Sequence, residues 1–440
     1  MRTSDLAPPA YTPHPISPDA PIAGWAATPR VVLERLAVAA YGWDDEDPAV
    51  VWDGAGYVWD APTAGAGYTD ATCDFQAIEI EAGNADELML FASARAVVTL
   101  ANDAGQWTVY DESGRLVYYA PGRRLIVGAD YAGEWWWLFA GTIVAWTLNT
   151  DGTVTVEAHD RFSGLAAPLG APYTPGAAGQ LPRDRLAAIA AAAGDNGPRR
   201  MDPGNVTLTA QPTELAPLEE MQGVALSDGG LLYVDADGAL VYRDRLWPRG
   251  RADQPAVPVF TDNVCGAGMV VWNPELRNAD DYLVTKVALV NVAGTAVTAT
   301  NPDPLYLDRP YTYTHPDPDQ WTTAGEGQAV ADALLELYRN PAVGVDTFEL
   351  LLTAPDAELW AAGVDRRLAD RIRFLHDYPA AGGTVGTFNI EAVVTTIRHA
   401  ISPDEWLVAI GTAPAIAATV VQRWDRTGWT WDHPDARWDY

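Results

Sequence analysis

Cysteine, lysine and histidine are all scarce in this chain, and each scarcity closes a branch of chemistry. Two cysteines, Cys73 and Cys265, cannot build a disulfide framework, and no CxxC pair or Cys/His cluster is there to hold zinc. The six histidines, at 14, 159, 315, 376, 399 and 433, contain no i, i+4 pair. GxSxG, HExxH and GxxxxGK[ST] are missing too, so nucleophilic, zinc-hydrolase and nucleotide-binding readings have no motif to start from. No apolar run reaches the length of a membrane span, since even the Trp-rich stretch Glu134 to Trp146 is broken by Gly133, Gly141 and polar residues. Positive charge is short as well: 28 Lys+Arg face 59 Asp+Glu for a net charge of −31, and Lys286 is the only lysine. Such a surface repels phosphates, which excludes DNA as a gripped ligand. The first residues lack the apolar centre of a signal peptide, so a soluble protein not secreted by that route is expected.

What is present is enough apolar residues, 48%, to bury a core, and a length of 440 that suggests two to four domains. Residues 1–29 are Pro-rich without periodicity and read as an extended arm. Residues 30–167 read as a first β-barrel domain, interrupted at 41–68 by a Trp/Asp-rich insert. Within it FQAIEIEAG and ARAVVTLAND alternate at period two, and RRLIVGAD, EWWWLFAGTIVAWTL, an Asn149–Gly152 turn and TVTVEAHD follow. Residues 168–265 read as a linker and a small α/β insert. One helix starts at Pro182 and ends at Gly194. A second begins near Pro217 with Leu218, Met221 and Ala225 on one face and stops at Gly229–Gly230, and a hairpin then turns at Asp237–Gly238. Residues 266–412 read as a second β-barrel domain with helices near 329–363, the first of them presenting Val330, Ala333, Leu334 and Leu337. Residues 413–440 form a Trp/Asp-rich tail. The fold class is therefore mainly β with helical insertions.

The two strand regions share an order of features. RRLIV leads through a Gly turn to Phe139, GTIVAWTL, a turn at Asp151–Gly152 and TVTVEA; RIRFL leads through Gly382–Gly383 to Phe388, EAVVTTI, a turn at Pro403–Asp404 and WLVAIG. Any antiparallel meander has some of this pattern. If the duplication is real, one chain carries two copies of one barrel, and three chains could form a ring of six.

Candidate reactive groups are few. His315, Asp317 and Asp319 could contact a hard cation, but the Pro-spaced HPDPD reads better as a solvated loop. DADG at 235–238 resembles the start of a calcium loop, yet its twelfth position is Leu246, so it reads as a hairpin turn. Paired carboxylates for glycoside hydrolysis leave no sequence signature in so acidic a chain. No catalytic residue, metal ligand or cofactor site is assigned. The tryptophans stand out instead: Trp52 and Trp59, and again Trp424, Trp431 and Trp438, are each followed by Asp at spacings of seven. Propeller repeats are longer, and Gly428 and Pro434 are poor for a coiled coil. These five residues are candidate interface anchors, with packing on their own chain and stacking on glycans as the alternatives.

Several of these segments resemble minor tail proteins, or tail hub proteins, of long-tailed bacteriophages of high-GC hosts. The carriers are Pro121-Gly122 before a strand, Leu138-Phe139-Ala140-Gly141-Thr142-Ile143, and the closing Asp160 to Leu165. APLEEMQGVALSDGGLLYVDADGALVYRDR is similar to that family's middle domain, TTIRHAISPDEWLVAIGT to its closing strands, and the W-D tail to its tails. The resemblance covers most of 70–440; the insert at 41–68 is longer than the family leads one to expect. It implies two tail-tube-like barrels per chain, a homotrimer at the virion tail tip made in the host cytoplasm, and no enzymatic activity. The expected partners are the distal tail protein, the tape measure protein and other minor tail proteins, with DNA only as passing cargo and contact with the host surface. The role implied is to cap the tail tube, organise the tip and form the channel for tape measure and DNA release. A receptor- or glycan-binding tail protein is the main alternative; a distal tail ring protein and a cell-wall glycan hydrolase are further ones.

Overall fold

The computed structural model describes residues 27–34, 68–83, 91–108, 114, 116, 119, 121–131, 134–167, 178–210, 216–247, 257–263, 268–277, 284–301, 311–338, 344–352, 357–379 and 385–415. The first strand region supplies β1 (Ala27–Glu34), β2 (Tyr68–Asp70), β3 (Phe75–Gly83), β4 (Arg95–Leu100), β5 (Arg124–Tyr131), β6 (Glu134–Leu148) and β7 (Val154–His159). Period-two sequence becomes one buried face: Ile78 and Ile80 of β3, Ala96, Val98 and Leu100 of β4, and Val154, Val156 and Ala158 of β7 are all withdrawn from solvent. Each such Val, Leu or Ile contributes about 1.5–3 kcal/mol of burial. The residues that alternate with them along the strands, Glu79, Glu81, Arg95 and Glu157, sit on the opposite face, where Arg95 Nε meets Glu157 Oε1 at 2.6 Å.

A short helix α1 (Arg161–Leu165) closes this region. α2 (Pro182–Ala192), β8 (Arg199–Met201), α3 (Pro217–Asp228), β9 (Leu231–Val234) and β10 (Leu240–Arg243) follow. Pro182 and Pro217 open their helices, and Gly229 ends α3 at φ 68. The strands form a separate sheet in the order β8-β10-β9. Next come β11 (Val259–Thr261), β12 (Met269–Val270), β13 (Trp272–Arg277), β14 (Lys286–Val290), β15 (Ala296–Thr300), β16 (Thr312–Tyr313) and α4 (Ala324–Tyr338). The chain finishes with β17 (Gly344–Leu351), α5 (Ala357–Val364), β18 (Arg371–Pro379), β19 (Val385–Ile401) and β20 (Trp406–Pro414).

The protein is mostly β, as its sequence indicates, but its strand regions are not two separate sheets. Both belong to a single curled 14-stranded sheet. Within it the first region runs β3-β4-β7-β6-β5-β1-β2, and the second runs β13-β17-β20-β19-β18-β11-β12. The duplicated order read from the sequence is thus a duplicated topology over five antiparallel strands, β3-β4-β7-β6-β5 and β13-β17-β20-β19-β18, while the outer strands differ: β1 joins β5 and β2 antiparallel, and β11 joins β18 and β12 parallel. The match extends to backbone detail. The long strand β6 pairs with β5 along its first part and β7 along its second, and its ladder with β7 shifts between Ile143 and Ala145. β19 divides between β18 and β20 in the same way and shifts between Val394 and Thr396. Aligning Thr142, which faces Arg124, with Val393, which faces Arg371, makes the two bulges coincident at Val144 and Thr395. Just before β5 and β18, Gly122 (φ 90) and Ala369 (φ 64) are both left-handed, and each donates its N–H to the residue preceding the bulge, Ile143 O at 2.7 Å and Val394 O at 2.8 Å.

The copies meet where β3 pairs antiparallel with the last part of β19, Gly83 opposite Thr396 through Ile78 opposite Ile401. Gly83 is required there: its φ is 104, and a Cβ would lie 2.0 Å from Thr395 O.

Two differences from the sequence reading concern the insertions. β14, β15 and β16 leave the large sheet for a second three-stranded one in the order β15-β14-β16, covered by α4, where one α/β insert was expected. α4 also begins earlier than its apolar pattern suggests and buries Val330, Ala331, Leu335 and Tyr338, while Ala333, Leu334 and Leu337 are half-buried. The reason is its cap. Thr323 and Glu326 exchange a capping box, Thr323 N donating to Glu326 Oε2 at 3.0 Å and Glu326 N to Thr323 Oγ1 at 3.3 Å. Glu326 Oε1 also accepts from Thr207 N at 2.8 Å and Thr207 Oγ1 at 2.7 Å, which ties the second small unit to the first. Deeper in the same contact, Arg185 donates to Gln180 Oε1 at 2.8 Å and to Thr209 O at 2.9 Å, fully buried.

Two outcomes follow. Burial opposes the charge on Glu326, but hydrogen bonds from Thr207, Thr322 and Thr323 outweigh it and hold the carboxyl down at about 2. The stabilisation is therefore present above the ordinary Glu range and lost as pH falls from about 4.5 toward 2. Glu326→Gln should cost about 1 kcal/mol at pH 7, kept small by solvent screening, and almost nothing near pH 2, measured by urea melts across that range. Gly83→Ala should cost on the order of 3 kcal/mol in the same assay, because backbone at Thr395 cannot move aside as a side chain would.

Candidate functional site

Asp160 shows how the sequence sets up the most densely connected part of the molecule. It follows β7 and caps α1, its Oδ1 accepting from Phe162 N at 2.9 Å and Ser93 Oγ at 2.6 Å and its Oδ2 from Ala94 N at 2.8 Å. Leu165 at the other end of the Asp160–Leu165 motif is buried, so the motif is a structural cap. Burial pushes the Asp160 carboxyl up to about 6 against those three donors. The next residue, Arg161, reaches out of the first strand region. Its Nη1 donates to Pro198 O at 2.7 Å and Gly238 O at 3.0 Å, and its Nη2 pairs with Asp195.

The receiving surface is the DADG hairpin between β9 and β10. It is a turn, as read from sequence: Gly238 N donates to Asp235 O at 2.8 Å and Asp235 N to Ala239 O at 2.9 Å. Its carboxylates are not solvated, however. Arg200 Nη2 lies 2.7 Å from Asp235 Oδ2 and 2.8 Å from Asp237 Oδ1. From the second strand region Arg367 brings Nε to 3.6 Å from Asp235 Oδ1, while its Nη1 donates to Trp137 O of β6 at 2.7 Å. Arg367 thereby touches both the hairpin and the first strand region. Its own backbone N–H donates to Asp370 Oδ2 at 2.9 Å, and burial raises that carboxyl to about 6, with Arg366 and Arg367 opposing. Trp247 Nε1 donates to Ala369 O at 2.6 Å and fixes the left-handed residue that launches β18.

A narrow cleft at this meeting point is lined by Ile80, Leu138, Phe139, Val234, Leu368 and His399, among others. His399 is buried and held neutral, its ring pushed down to about 3 by burial and then by Arg367. Its Nδ1 accepts from Trp406 Nε1 at 3.2 Å. The guanidinium groups and carboxylates here neutralise one another across three chain segments, which makes the arrangement a joint that holds the segments at fixed angles.

Of the residues singled out from sequence, Trp52, Trp59, Trp424, Trp431 and Trp438 lie outside the described residues. His315, Asp317 and Asp319 do not converge: His315 Nδ1 meets Asp319 Oδ1 at 2.6 Å with both side chains buried, while Asp317 is exposed. The HPDPD segment is therefore half anchored, where a solvated loop was expected. Among the described residues no group of three or more His, Cys, Asp or Glu could hold a metal ion. The joint's own residues, Arg161, Arg200, Asp235 and Arg367, went unread because nothing local marks an ion pair between residues so far apart in sequence. The one available signal was the DADG turn, whose two acids need partners once the turn packs against protein.

No protein-family model matches this sequence, and no curated protein matches it. Solved structures do. The tail protein from Neisseria meningitidis MC58 superposes with a TM-score of 0.54 at 12% identity, covering 88% of this chain and 97% of that one. The 43 kDa tail protein of prophage MuSo2 from Shewanella oneidensis gives a TM-score of 0.51 at 15% identity, covering 88% of this chain and 98% of that one. This chain therefore has a phage tail protein fold over most of its length.

Replacing Arg367 with Met keeps the apolar stem and removes the charge-assisted bonds to Trp137 O and Asp235. The variant should lose about 2 kcal/mol of stability, and amide exchange should rise first in the Leu231–Arg243 hairpin. Uniform exchange across the whole molecule would show that Arg367 does not clamp that hairpin.

Proposed function

We propose that this chain is a hub-type structural protein of the tail tip of a long-tailed phage. In this reading it acts as a homotrimer that caps the tail tube, organises the tip and encloses the channel through which the tape measure protein and then DNA leave. Its neighbours would be the distal tail protein, the tape measure protein and other minor tail proteins, and the arginine-dominated positive charge suits a high-GC host. The observation that carries the reading is the duplicated strand order. A chain with two copies of one five-strand antiparallel unit presents six copies as a trimer, which suits a junction with a sixfold tube. Likeness to the Neisseria and Shewanella tail proteins in fold supports the same class of work.

The face opposite the core suits a channel wall. Across the junction it carries short or charged residues, Glu79, Glu81, Arg95, Glu157 and Arg398, in a mixture of signs. Such a face offers a polyanion no continuous positive track to adhere to. The reading predicts a mass of three chains in native mass spectrometry of the purified protein, and antibody label at the tail end distal to the head in electron micrographs of the virion. A monomer at micromolar concentration, or label along the tail shaft, would overturn it.

A further inference from the structure

The connection between α2 and β8 holds the only Asn-Gly dipeptide of the sequence, Asn196-Gly197. Asparagine is chemically labile, and this one is exposed. Its Nδ2 reaches only Gly194 O at 3.4 Å, and the Gly197 N–H donates only to Asp195 Oδ1 at 3.3 Å. Both contacts are long, so neither group is fixed in place. The related Asp-Gly pairs are held differently. Asp151 accepts from Thr153 N and Thr153 Oγ1, Asp228 is fully buried, and Asp237 Oδ1 takes Ala239 N and Arg200 Nη2. Among the described residues, Asn196-Gly197 is the one such dipeptide whose side chain is free to turn onto the next peptide group.

Glycine at 197 is required by the joint itself. A Cβ there would lie 2.6 Å from Cζ of Arg161 and 2.7 and 2.8 Å from its Nη2 and Nη1, so the guanidinium sits broadside against the bare Cα. Its charge beside the Gly197 peptide favours loss of the amide proton, and Asp195 Oδ1 stands where that proton departs. Asp195, whose own charge would oppose that loss, is paired with Arg161 Nη2. The chain is pinned on both sides of the dipeptide. Gly194 N donates to Ala191 O at 3.0 Å and Asp195 N to Ala190 O at 2.9 Å, while Pro198 O accepts from Arg161 Nη1 at 2.7 Å and from Leu240 N at 3.0 Å. Only Asn196 and Gly197 lie between these anchors, so an extra main-chain atom there has to displace one of them.

We propose that Asn196-Gly197 is a self-modification site whose reaction loosens the joint as the protein ages. Gly197 N attacks Asn196 Cγ: the N–Cγ bond forms, the Cγ–Nδ2 bond breaks, and ammonia leaves with the proton that the Gly197 N–H gives up. Water then opens the resulting succinimide. Attack at the side-chain carbonyl gives aspartate, whereas attack at the main-chain carbonyl gives isoaspartate, whose main chain runs through Cβ and is longer by that atom. Nothing is oxidised or reduced, and water is the only co-reactant. Both products add a negative charge beside Asp195. Only isoaspartate moves Pro198 O, which anchors the Arg161 guanidinium and accepts from Leu240 at the start of the β8-β10 pairing. The DADG hairpin then loses its hold on Arg161, while Arg367 still grips it from the other side.

The test keeps the full-length protein in mildly alkaline buffer made with heavy-oxygen water and maps its peptides by mass spectrometry. The peptide containing Asn196 should lose ammonia and gain one heavy oxygen on the order of tenfold faster than that of any other asparagine, and protein isoaspartyl methyltransferase should label it. Asn196→Gln keeps the amide and the charge but demands a larger ring, and should stay unmodified. In the aged protein the amides of the Leu231–Arg243 hairpin should exchange on the order of tenfold faster than in fresh protein, and those of β3, β4 and β7 should not. Asn196→Asp, which has the charge with an ordinary main chain, should match the fresh protein. If Asn196 persists in the folded chain while urea-unfolded chain reacts, the fold protects the dipeptide and the proposal fails. Modification without faster exchange in the hairpin would refute the coupling to the joint. Equal exchange in aged protein and in Asn196→Asp would overturn the argument from main-chain length.

Discussion

The requirement that every strand edge be paired or covered governs this molecule. The ladder between Ile78–Gly83 and Thr396–Ile401 joins two copies of one unit into a single sheet, and the remaining features serve it. The bulge at Thr395 frees one residue from the ladder with β20 just where β3 arrives, and Gly83 leaves room for its carbonyl. Gly411 performs a similar service on the other side, where a Cβ would meet Thr396 Oγ1 at 2.1 Å. The first copy keeps the equivalent bulge at Val144, and beside it Trp146 stacks on Tyr119 at 5.0 Å and donates its Nε1 to Trp107 O at 3.1 Å.

Hydrogen bonding holds the sheet together, whereas charge fixes what is attached to it. The small β8-β10-β9 sheet is held by Arg161 from one side and Arg367 from the other, and the second small sheet is held through Glu326 and Thr207. In a chain of net charge −31 these arginines are a limited resource, and several are spent inside, against Asp195, Asp228, Asp235 and Asp237. Asp228 illustrates the pattern: burial raises its carboxyl to about 6 while Tyr242 Oη, Asn205 N and Arg245 Nη1 donate to it. Displaced carboxyl titration often marks catalytic sites. Here the displaced groups cap helices and bind arginines, which is structural work.

Much of this was legible in the residues. Period-two alternation located β3, β4 and β7; Pro182, Pro217 and Gly229 bounded α2 and α3; and the shared order of strands around Phe139 and Phe388 disclosed the duplication. These features are local, set by side-chain direction and backbone freedom over a few residues. α4 was misjudged at its start because its cap depends on Glu326 reaching Thr323, which an apolar count does not weigh. The departure of β14–β16 from the large sheet was invisible, since a strand buried in one sheet has the same alternation as a strand buried in another.

The sequence by itself determined that the chain is mainly β, that it lacks the motifs of the common catalytic classes, and that one strand order occurs twice, because each follows from composition, spacing or repetition along the chain. Tertiary structure alone decided that the copies share one sheet, that β19 accepts β3, and that Arg367 ties the DADG hairpin to Trp137. Those facts are pairings between backbone groups or charges far apart in sequence, and a peptide N–H or a guanidinium carries no mark of the partner it will find.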